Sequence, residues 1–346
     1  MFIFFLTFLI FLFDKILNAD EIHFADSHGP ITVMGDHMHK KKELMFSLRF
    51  SKMNMDGMLS GTNSISLNSV MSAPNGASNS SGTYMNSPVS MKMNMYMFGA
   101  MFAPTDNLTL MAMSSFNKKE MVSQRMRMRG GSRFDVNSSG IGDTRLSGLF
   151  KILDNKFSKT HFSIGLSLPT GSIDKRDTTP ASLNSRLGYK MQNGSGTYDP
   201  FFVLNNVNNI GKVKIGEQFM IKKPIFGDNS NGYHYGNSIN TSIWFSYRWI
   251  KNFSTSFKIN YNFFGKMEGE DNEMNKRMSP AMDSKNVGHQ KVNTSFGFNY
   301  VNSNEFLKNH RLAFEFIIPV YQKVRGIQMA DEYKIMLGWQ YGFNIP

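Results

Sequence analysis

Apolar and polar residues alternate along most of this chain, in stretches of roughly 10 to 13 residues. In residues 253–263 the apolar Phe253, Phe257 and Ile259 are separated by polar residues. Residues 239–249, 292–300 and 333–343 repeat the pattern. Successive side chains of a strand point to opposite faces, so the alternation predicts strands with one apolar and one polar face. We find no helical periodicity of any length.

The alternation predicts twelve strands, near residues 44–55, 90–102, 107–117, 140–153, 160–168, 197–206, 211–222, 237–249, 253–265, 289–300, 309–321 and 331–343. The connections between them are alternately long and short. An even number of long two-faced strands, with short turns on one side and long loops on the other, is typical of outer-membrane barrels. The predicted fold is therefore all-β: a single transmembrane antiparallel β-barrel of about 12 strands, with short periplasmic turns and long extracellular loops. Residues 121–129 also look strand-like, and we assign them to the second external loop because a closed barrel needs an even strand number.

The chain begins with an apolar run, residues 2–13, which is too short for a transmembrane helix. Small residues follow near Ala19, which favours a secretory signal peptide at 1–19. An uncleaved anchor is the alternative. Residues 20–43 are then expected as a periplasmic N-terminal segment and residues 44–346 as the barrel. The expected location is the outer membrane of a Gram-negative bacterium.

Composition narrows the possible partners and chemistry. The chain has no cysteine, so it has neither a disulfide nor a thiolate metal site. Its formal net charge of +12 suits an anionic neighbour such as lipopolysaccharide, which we expect as a partner together with outer-membrane lipid and a small solute. Nucleic acid is an unexpected partner for an exported chain. No convincing catalytic arrangement is present, so we do not expect an enzyme, and the oligomeric state is left open.

Strand parity predicts which charged side chains point into the barrel. In the first strand Leu44, Phe46, Leu48 and Phe50 form the lipid face, so that Arg49 faces inward with its alternate neighbours. The charged residues expected to line the pore are Arg49, Asp143, Arg145, Arg248, Lys258, Arg311 and Glu315. Charges of both signs predict either a wet pore or a satisfied internal network. Twelve strands predict a narrow, selective path, with the arginines as candidates for charge selection.

Methionine is the unusual residue of this sequence: 18 of the 27 methionines lie between Met34 and Met128. In residues 91–101 they occupy alternate positions, so they share one strand face, and we favour the inward face. Thioethers suit Cu(I), and imidazole also binds copper. The candidate metal ligands are His37, Met38, His39, Met53, Met55, Met111 and Met113. The alternative is that methionine here is only adaptable apolar filler.

Several phrases of the sequence resemble one family of predicted transporters. They are SGIGD at residues 139–143, LSLPTG at 166–171, GTYD at 196–199 and GWQYGF at 338–343. The chain is similar in these to the outer-membrane family named for the MetA pathway of phenol degradation. VMGDHMH at 33–39 and MNMDGM at 53–58 resemble a methionine-rich subgroup of it. The resemblance implies an outer-membrane barrel with a transport role, and it implies no particular substrate.

Three functions remain open from the sequence. The first is a channel that passes a small solute passively through a polar lumen. The second is a copper-handling barrel that uses the histidine and methionine ligands. The third is a barrel without conductance, with a structural or adhesion role.

Overall fold

The computed structural model describes residues 24–77, 82–126, 128, 130–302 and 309–345. The predicted signal peptide, residues 1–19, lies outside them. Twelve strands form the wall: β1 (Glu43–Ser60), β3 (Asn86–Thr105), β4 (Leu108–Arg125), β6 (Thr144–Asp154), β7 (Ser158–Leu168), β10 (Asp199–Ile210), β11 (Val213–Lys222), β13 (Ser238–Ile250), β14 (Phe253–Phe264), β16 (His289–Val301), β17 (His310–Val324) and β18 (Ile327–Asn344). Each is antiparallel to its neighbours along the chain.

The remaining elements belong to the loops and to the N-terminal segment. The short strands are β2 (Asn63–Ile65), β5 (Arg133–Ile141), β8 (Arg176–Thr179), β9 (Ser182–Arg186), β12 (Tyr233–His234) and β15 (Glu268–Gly269). The helix is α1 (Leu67–Ser72), and single 3-10 turns occur at Ala25–Ser27, Tyr189–Met191, Pro280–Met282 and Ser284–Asn286. Within the described part of the chain, no helix has the length and apolarity that a membrane crossing requires.

The first and last wall strands pair and close the sheet on itself. The register of β1 and β18 runs from Glu43 opposite Asn344 to Ser60 opposite Ile327. Closure leaves no free edge among the wall strands, which is the condition for a sheet in lipid. The predicted closed barrel of twelve antiparallel strands is confirmed.

The faces follow the parity predicted for the strands. In β1 Arg49 is buried, whereas Phe46 and Leu48 are 44% and 46% exposed on the outer surface. The methionines of β3 lie on its inner face, because Met97 is 8% exposed and the adjacent Phe98 is 54% exposed. Apolar side chains on the outer face of the other wall strands complete a band that suits lipid.

The second external connection, residues 118–139, contains a two-stranded extension of the wall. Strand β4 continues to Arg125, and β5 returns antiparallel to it, from Arg133 opposite Gln124 to Ile141 opposite Phe116. Residues 121–125 thus extend a wall strand and do not add a thirteenth one. Lys119 of this connection points inward and donates to the carbonyl oxygen of Lys190 at 2.9 Å. Arg127 and Arg129 lie outside the described residues.

The outer half of the barrel interior is filled by loop residues. An apolar cluster there joins wall methionines to side chains from the connections: Met55, Met58, Val70, Met91, Met121, Val136, Leu187, Met191 and Met329. Val70 belongs to α1, and Leu187 and Met191 come from the connection between β9 and β10. The external loops therefore fold inward over the methionine wall.

Candidate functional site in the barrel lumen

The N-terminal segment Phe24–Lys42, called the plug segment below, lies inside the barrel except for residues 40–42, which are exposed. This corrects the expectation that residues 20–43 precede the barrel in the periplasm, for the part of the segment that is described. Its residues Ala25, Ile31 and Val33 are 0%, 2% and 3% exposed. Ile31 packs with Met97 of β3 and Met336 of β18 in one apolar cluster. The lumen is therefore occupied at the level of the plug segment.

Polar side chains from around the wall hold the backbone of the plug segment. In order along the segment, the bonds are Asn299 Nδ2 to His28 O at 3.2 Å, Arg311 Nη2 to Gly29 O at 2.6 Å, Thr32 N to Glu315 Oε2 at 3.0 Å, Gln218 Nε2 to Met34 O at 2.9 Å, His161 Nε2 to Gly35 O at 2.8 Å, Asn205 Nδ2 to Asp36 O at 3.0 Å and His39 N to Thr109 Oγ1 at 3.1 Å. The partners belong to six different strands. An irregular segment can lie inside a barrel only if its backbone groups find such partners.

The charged residues of β14 and β17 form a network around this segment. Lys258 Nζ lies 2.6 Å from Glu315 Oε1, and both side chains are buried. Glu315 also accepts from Ser295 Oγ at 2.5 Å and from Thr32 Oγ1 at 2.7 Å. Arg311 donates to Asn299 Oδ1 at 2.6 Å. These groups are paired inside the protein, except that Arg311 Nε is buried without a hydrogen-bond partner among the described residues.

Two further arginines contact the plug segment from other sides. Arg49 donates to the thioether sulfur of Met34. Arg248 stacks on the ring of Phe24, with Cζ 3.8 Å from the ring centroid, and its Nη1 lies 3.5 Å from Asp26 Oδ1. Of the two alternatives left open by the sequence, an internal network is the one observed here, although Arg49 Nε and both carboxylate oxygens of Asp26 have no hydrogen-bond partner among the described residues.

The other two predicted pore residues have different surroundings. Asp143 accepts from Gly171 N at 3.0 Å and from Ser195 N at 2.8 Å, so it fixes the connections after β7 and before β10. Arg145 shares the inward parity of Ser147 and Leu149, which are buried, but it remains exposed within the lumen. Only Arg145 among the seven therefore retains the surroundings of a pore-lining charge.

Three ionisable side chains of the plug segment meet at its turn. His28 Nδ1 lies 3.3 Å from His37 Nδ1, which in turn lies 2.9 Å from Asp36 Oδ1. Asp36 Oδ2 accepts from Gly29 N at 2.6 Å. Burial opposes the ionisation of Asp36, but His37, His28 and Arg311 outweigh it and hold the pKa of this carboxyl well below its ordinary value. Burial, followed by the effect of His37, lowers the pKa of His28.

The predicted metal ligands fall into two groups that are far apart. Met111 and His37 line one cavity of about 10 Å³, together with Met45, Met101 and Met113. Met38 packs in the cluster that contains Met45, Met101 and Met111. His39 bonds Glu43 Oε1 through Nδ1 at 3.0 Å.

Met53 and Met55 belong instead to the apolar cluster beneath the external loops, Met55 as a buried member and Met53 packed against it. Met45 and Met55 are ten residues apart on β1, which corresponds to about 33 Å along a strand. The seven residues therefore lie too far apart to ligate one ion together, and metal binding by either group stays a prediction.

Sequence reasoning missed the polar residues that hold the plug segment, such as His161, Asn205 and Gln218. Their inward parity was a detectable signal, but parity does not identify a partner. It also missed Trp244, which is 2% exposed and fills the lumen beside Gly29.

An external crevice of about 460 Å³ lies beside the β4–β5 hairpin. Its lining contains four cationic side chains and one anionic one: Lys118, Lys119, Lys175, Arg176 and Glu120. The lining of this crevice is therefore basic. Contact with lipopolysaccharide at this crevice stays a prediction.

Comparisons with known proteins define the class. The chain has the fold of an outer membrane channel from Pseudomonas putida F1, with a TM-score of 0.62 and 12% identity over 90% of this chain and 99% of that one. Weaker likenesses are to the β-domain of a Bordetella autotransporter, with a TM-score of 0.42 and 10% identity over 88% of this chain and 100% of that one, and to a Pseudomonas aeruginosa FadL homologue, with a TM-score of 0.37 and 9% identity over 87% and 90%. No protein-family model and no curated protein matches the chain. The protein is an outer-membrane β-barrel of the type found in Gram-negative bacteria.

Proposed function

We propose that this barrel is a passive channel for small solutes and that the plug segment closes it. The observation that carries the proposal is the position of residues 24–42 inside the lumen, held mainly through backbone groups by side chains of the wall. Such bonds can be exchanged for bonds to water at a small net cost of about 0.5–1.5 kcal/mol each. Displacement of the segment therefore needs neither a covalent step nor an energy source.

The lining of the lumen suggests the class of solute. Around Ile31 the wall is made of thioether and aliphatic side chains, among them Met95, Met97 and Met336. Methionine adapts its shape to irregular apolar partners. A small organic molecule with an apolar portion fits this lining better than a strongly charged ion, because most lumen charges are engaged with the plug segment. The resemblance to the predicted transporter family and the fold shared with a channel support the same proposal.

The test combines conductance with thiol accessibility. Since the chain has no cysteine, Val33→Cys places a single thiol on the buried part of the plug segment. A membrane-impermeant maleimide should label it slowly in liposomes, whereas Lys41→Cys, at an exposed position, should react at once. Adding Arg311→Met, which removes the bond to Gly29, should raise both the labelling rate of Val33→Cys and the single-channel conductance.

The outcomes separate the open functions. If the wild type already conducts fully and Arg311→Met does not change its conductance, closure by the plug segment is contradicted. No conductance in either protein, with labelling accelerated as expected, would favour the structural or adhesion barrel.

Copper handling is the second candidate, and one observation favours it. His37 and the thioethers of Met45, Met101, Met111 and Met113 line the same cavity. Soft thioethers with an imidazole suit Cu(I). Titration with Ag(I) as a Cu(I) analogue should then show tight binding that is lost when Met111 and Met113 are changed to leucine. Equal Ag(I) binding by that variant and by the wild type would show that the methionines only line the cavity as apolar side chains.

A further inference from the structure

The turn of the plug segment brings three donor atoms together from positions 28, 36 and 37. His28 Nδ1, His37 Nδ1 and a carboxylate oxygen of Asp36 all lie within 4.8 Å of one another. The two imidazoles are partly exposed and the carboxylate is buried. The cluster therefore combines a buried carboxylate with two imidazoles that keep part of their surface exposed.

The spacing of these donors matches ligation of one transition-metal ion. Donors bound at about 2.0–2.1 Å from an ion stand about 2.9 Å apart at a right angle and about 3.3–3.4 Å apart at the tetrahedral angle. The observed separations are 2.9 Å for Asp36 Oδ1 to His37 Nδ1 and 3.3 Å for His37 Nδ1 to His28 Nδ1. The third pair, His28 and Asp36, also has donor atoms within 4.8 Å of each other.

With neutral imidazoles, both neighbours of His37 Nδ1 have to share a single N–H group. If His37 Nδ1 carries a proton, it can donate to Asp36 Oδ1, but it then offers no lone pair to His28. If His28 Nδ1 donates to His37 Nδ1, the Asp36 oxygen has no donor from this ring. One cation between the three groups would satisfy all three lone pairs at once.

We propose that His28, Asp36 and His37 form a binding site for a divalent transition-metal ion of the Zn²⁺ type. Two imidazoles and one carboxylate are borderline-to-hard ligands, which favour such an ion over Cu(I). A water molecule would complete a tetrahedral set. The ion joins residue 28 to residues 36 and 37, so it fixes the turn of the plug segment without bonding the wall. The inference does not rest on the proposed channel function, because the ligands belong to the plug segment alone.

The first experiment is isothermal titration of the tag-free, chelator-treated full chain in detergent with ZnCl₂. We expect one Zn²⁺ per chain. The variants His28→Gln and Asp36→Asn should each weaken binding by at least about tenfold, the range reported for lesser changes around metal ligands. His289→Gln is the matched control, because His289 lies on β16 and bonds Asn262 instead. Heat-modified mobility on gels verifies that each variant has folded.

The results decide the assignment directly. Absence of Zn²⁺ binding by the wild type, or unchanged binding by folded His28→Gln, would overturn it. Loss of Zn²⁺ binding in the variant with Met111 and Met113 changed to leucine would also overturn it, in favour of a thioether site. Retention in that variant, together with loss in His37→Gln, would support it. Conductance is not needed for any of these outcomes, so failure of this site and failure of the channel function are distinguishable.

Discussion

The guanidinium of Arg311 donates to the carbonyl oxygen of Gly29 at 2.6 Å, across 282 positions of the chain. Arg311 belongs to β17, next to the strand that closes the barrel, whereas Gly29 precedes the first strand. Because the bond joins two distant parts of the sequence, it can form only when β17 is in place beside the plug segment. This contact therefore belongs to the closed barrel.

Removal of one member of the Lys258–Glu315 pair should destabilise the barrel strongly. Lys258→Met leaves the buried carboxylate of Glu315 without its counter-ion, and such a loss typically costs about 3–5 kcal/mol. The double variant Lys258→Met with Glu315→Met removes both charges and should lose less than the sum of the single variants. Urea unfolding of the refolded protein, followed by tryptophan fluorescence, measures the free energies. Additive losses would contradict coupling between the two groups.

The assignment of the β3 faces predicts a large effect of charge at Phe98. This side chain is 54% exposed on the outer face, opposite Leu48 of β1. Phe98→Arg should reduce the stability of the barrel in lipid by about 2–4 kcal/mol if the position lies near the bilayer centre. Lys92→Arg, which keeps a charge on the same face of the strand, is the control and should change little. Equal stability of both variants would contradict a lipid-facing Phe98.

Crowding between Trp244 and Gly216 predicts that a single methyl group will disturb the plug segment. A Cβ atom at Gly216 would lie 2.1 Å from the indole ring, which also packs against Gly29. Gly216→Ala should therefore displace Trp244 and speed the labelling of Val33→Cys. Gly342→Ala is the control, since its nearest contact would be an ordinary 3.4 Å. Identical labelling rates in the two backgrounds would show that Trp244 does not support the segment.

The external hairpin β8–β9 should loosen in acid. Bonds from Asn231 and Arg186 to the ionised carboxylate lower the pKa of Asp174 below its ordinary value of 3.8. Their stabilising effect is complete above that value and is lost as the pH falls through the lowered pKa of the folded state. Hydrogen exchange of residues 172–187 should therefore accelerate in acid relative to an unstructured reference peptide. Asp174→Asn should exchange faster than the wild type at pH 7 and should show a smaller additional acceleration in acid. If acid accelerated exchange equally in Asp174→Asn and in the wild type, the assignment to Asp174 would be contradicted.

Much of the wall could be predicted because each strand carries its own two-faced pattern. The predicted and observed bounds of β14, 253–265 and Phe253–Phe264, differ by one residue. The inward position of Met91 and Met97 was also predicted, from the methionines of the neighbouring strands. The pattern failed where a strand continues above the membrane, as in β4, because alternation alone does not mark the membrane boundary.

The roles of the inward residues could not be predicted in the same way. Parity placed Arg311 and Glu315 inside, but it could not show that Gly29 and Thr32 would lie against them. The same limit applies to His28, which carried no signal in the sequence and lies beside His37 only because the segment turns back on itself.

By itself, the sequence determined a twelve-stranded barrel and the face on which most side chains lie. These follow from periodicity, which acts between neighbouring residues and is repeated in every strand. Only the tertiary structure decided that the lumen is filled by residues 24–42 and that the charges form an internal network. It also decided that the inward methionines divide into two groups, one beside His37 of the plug segment and one beneath the external loops. Those outcomes depend on contacts between residues far apart in the chain. The local sequence around a residue does not identify its distant partner.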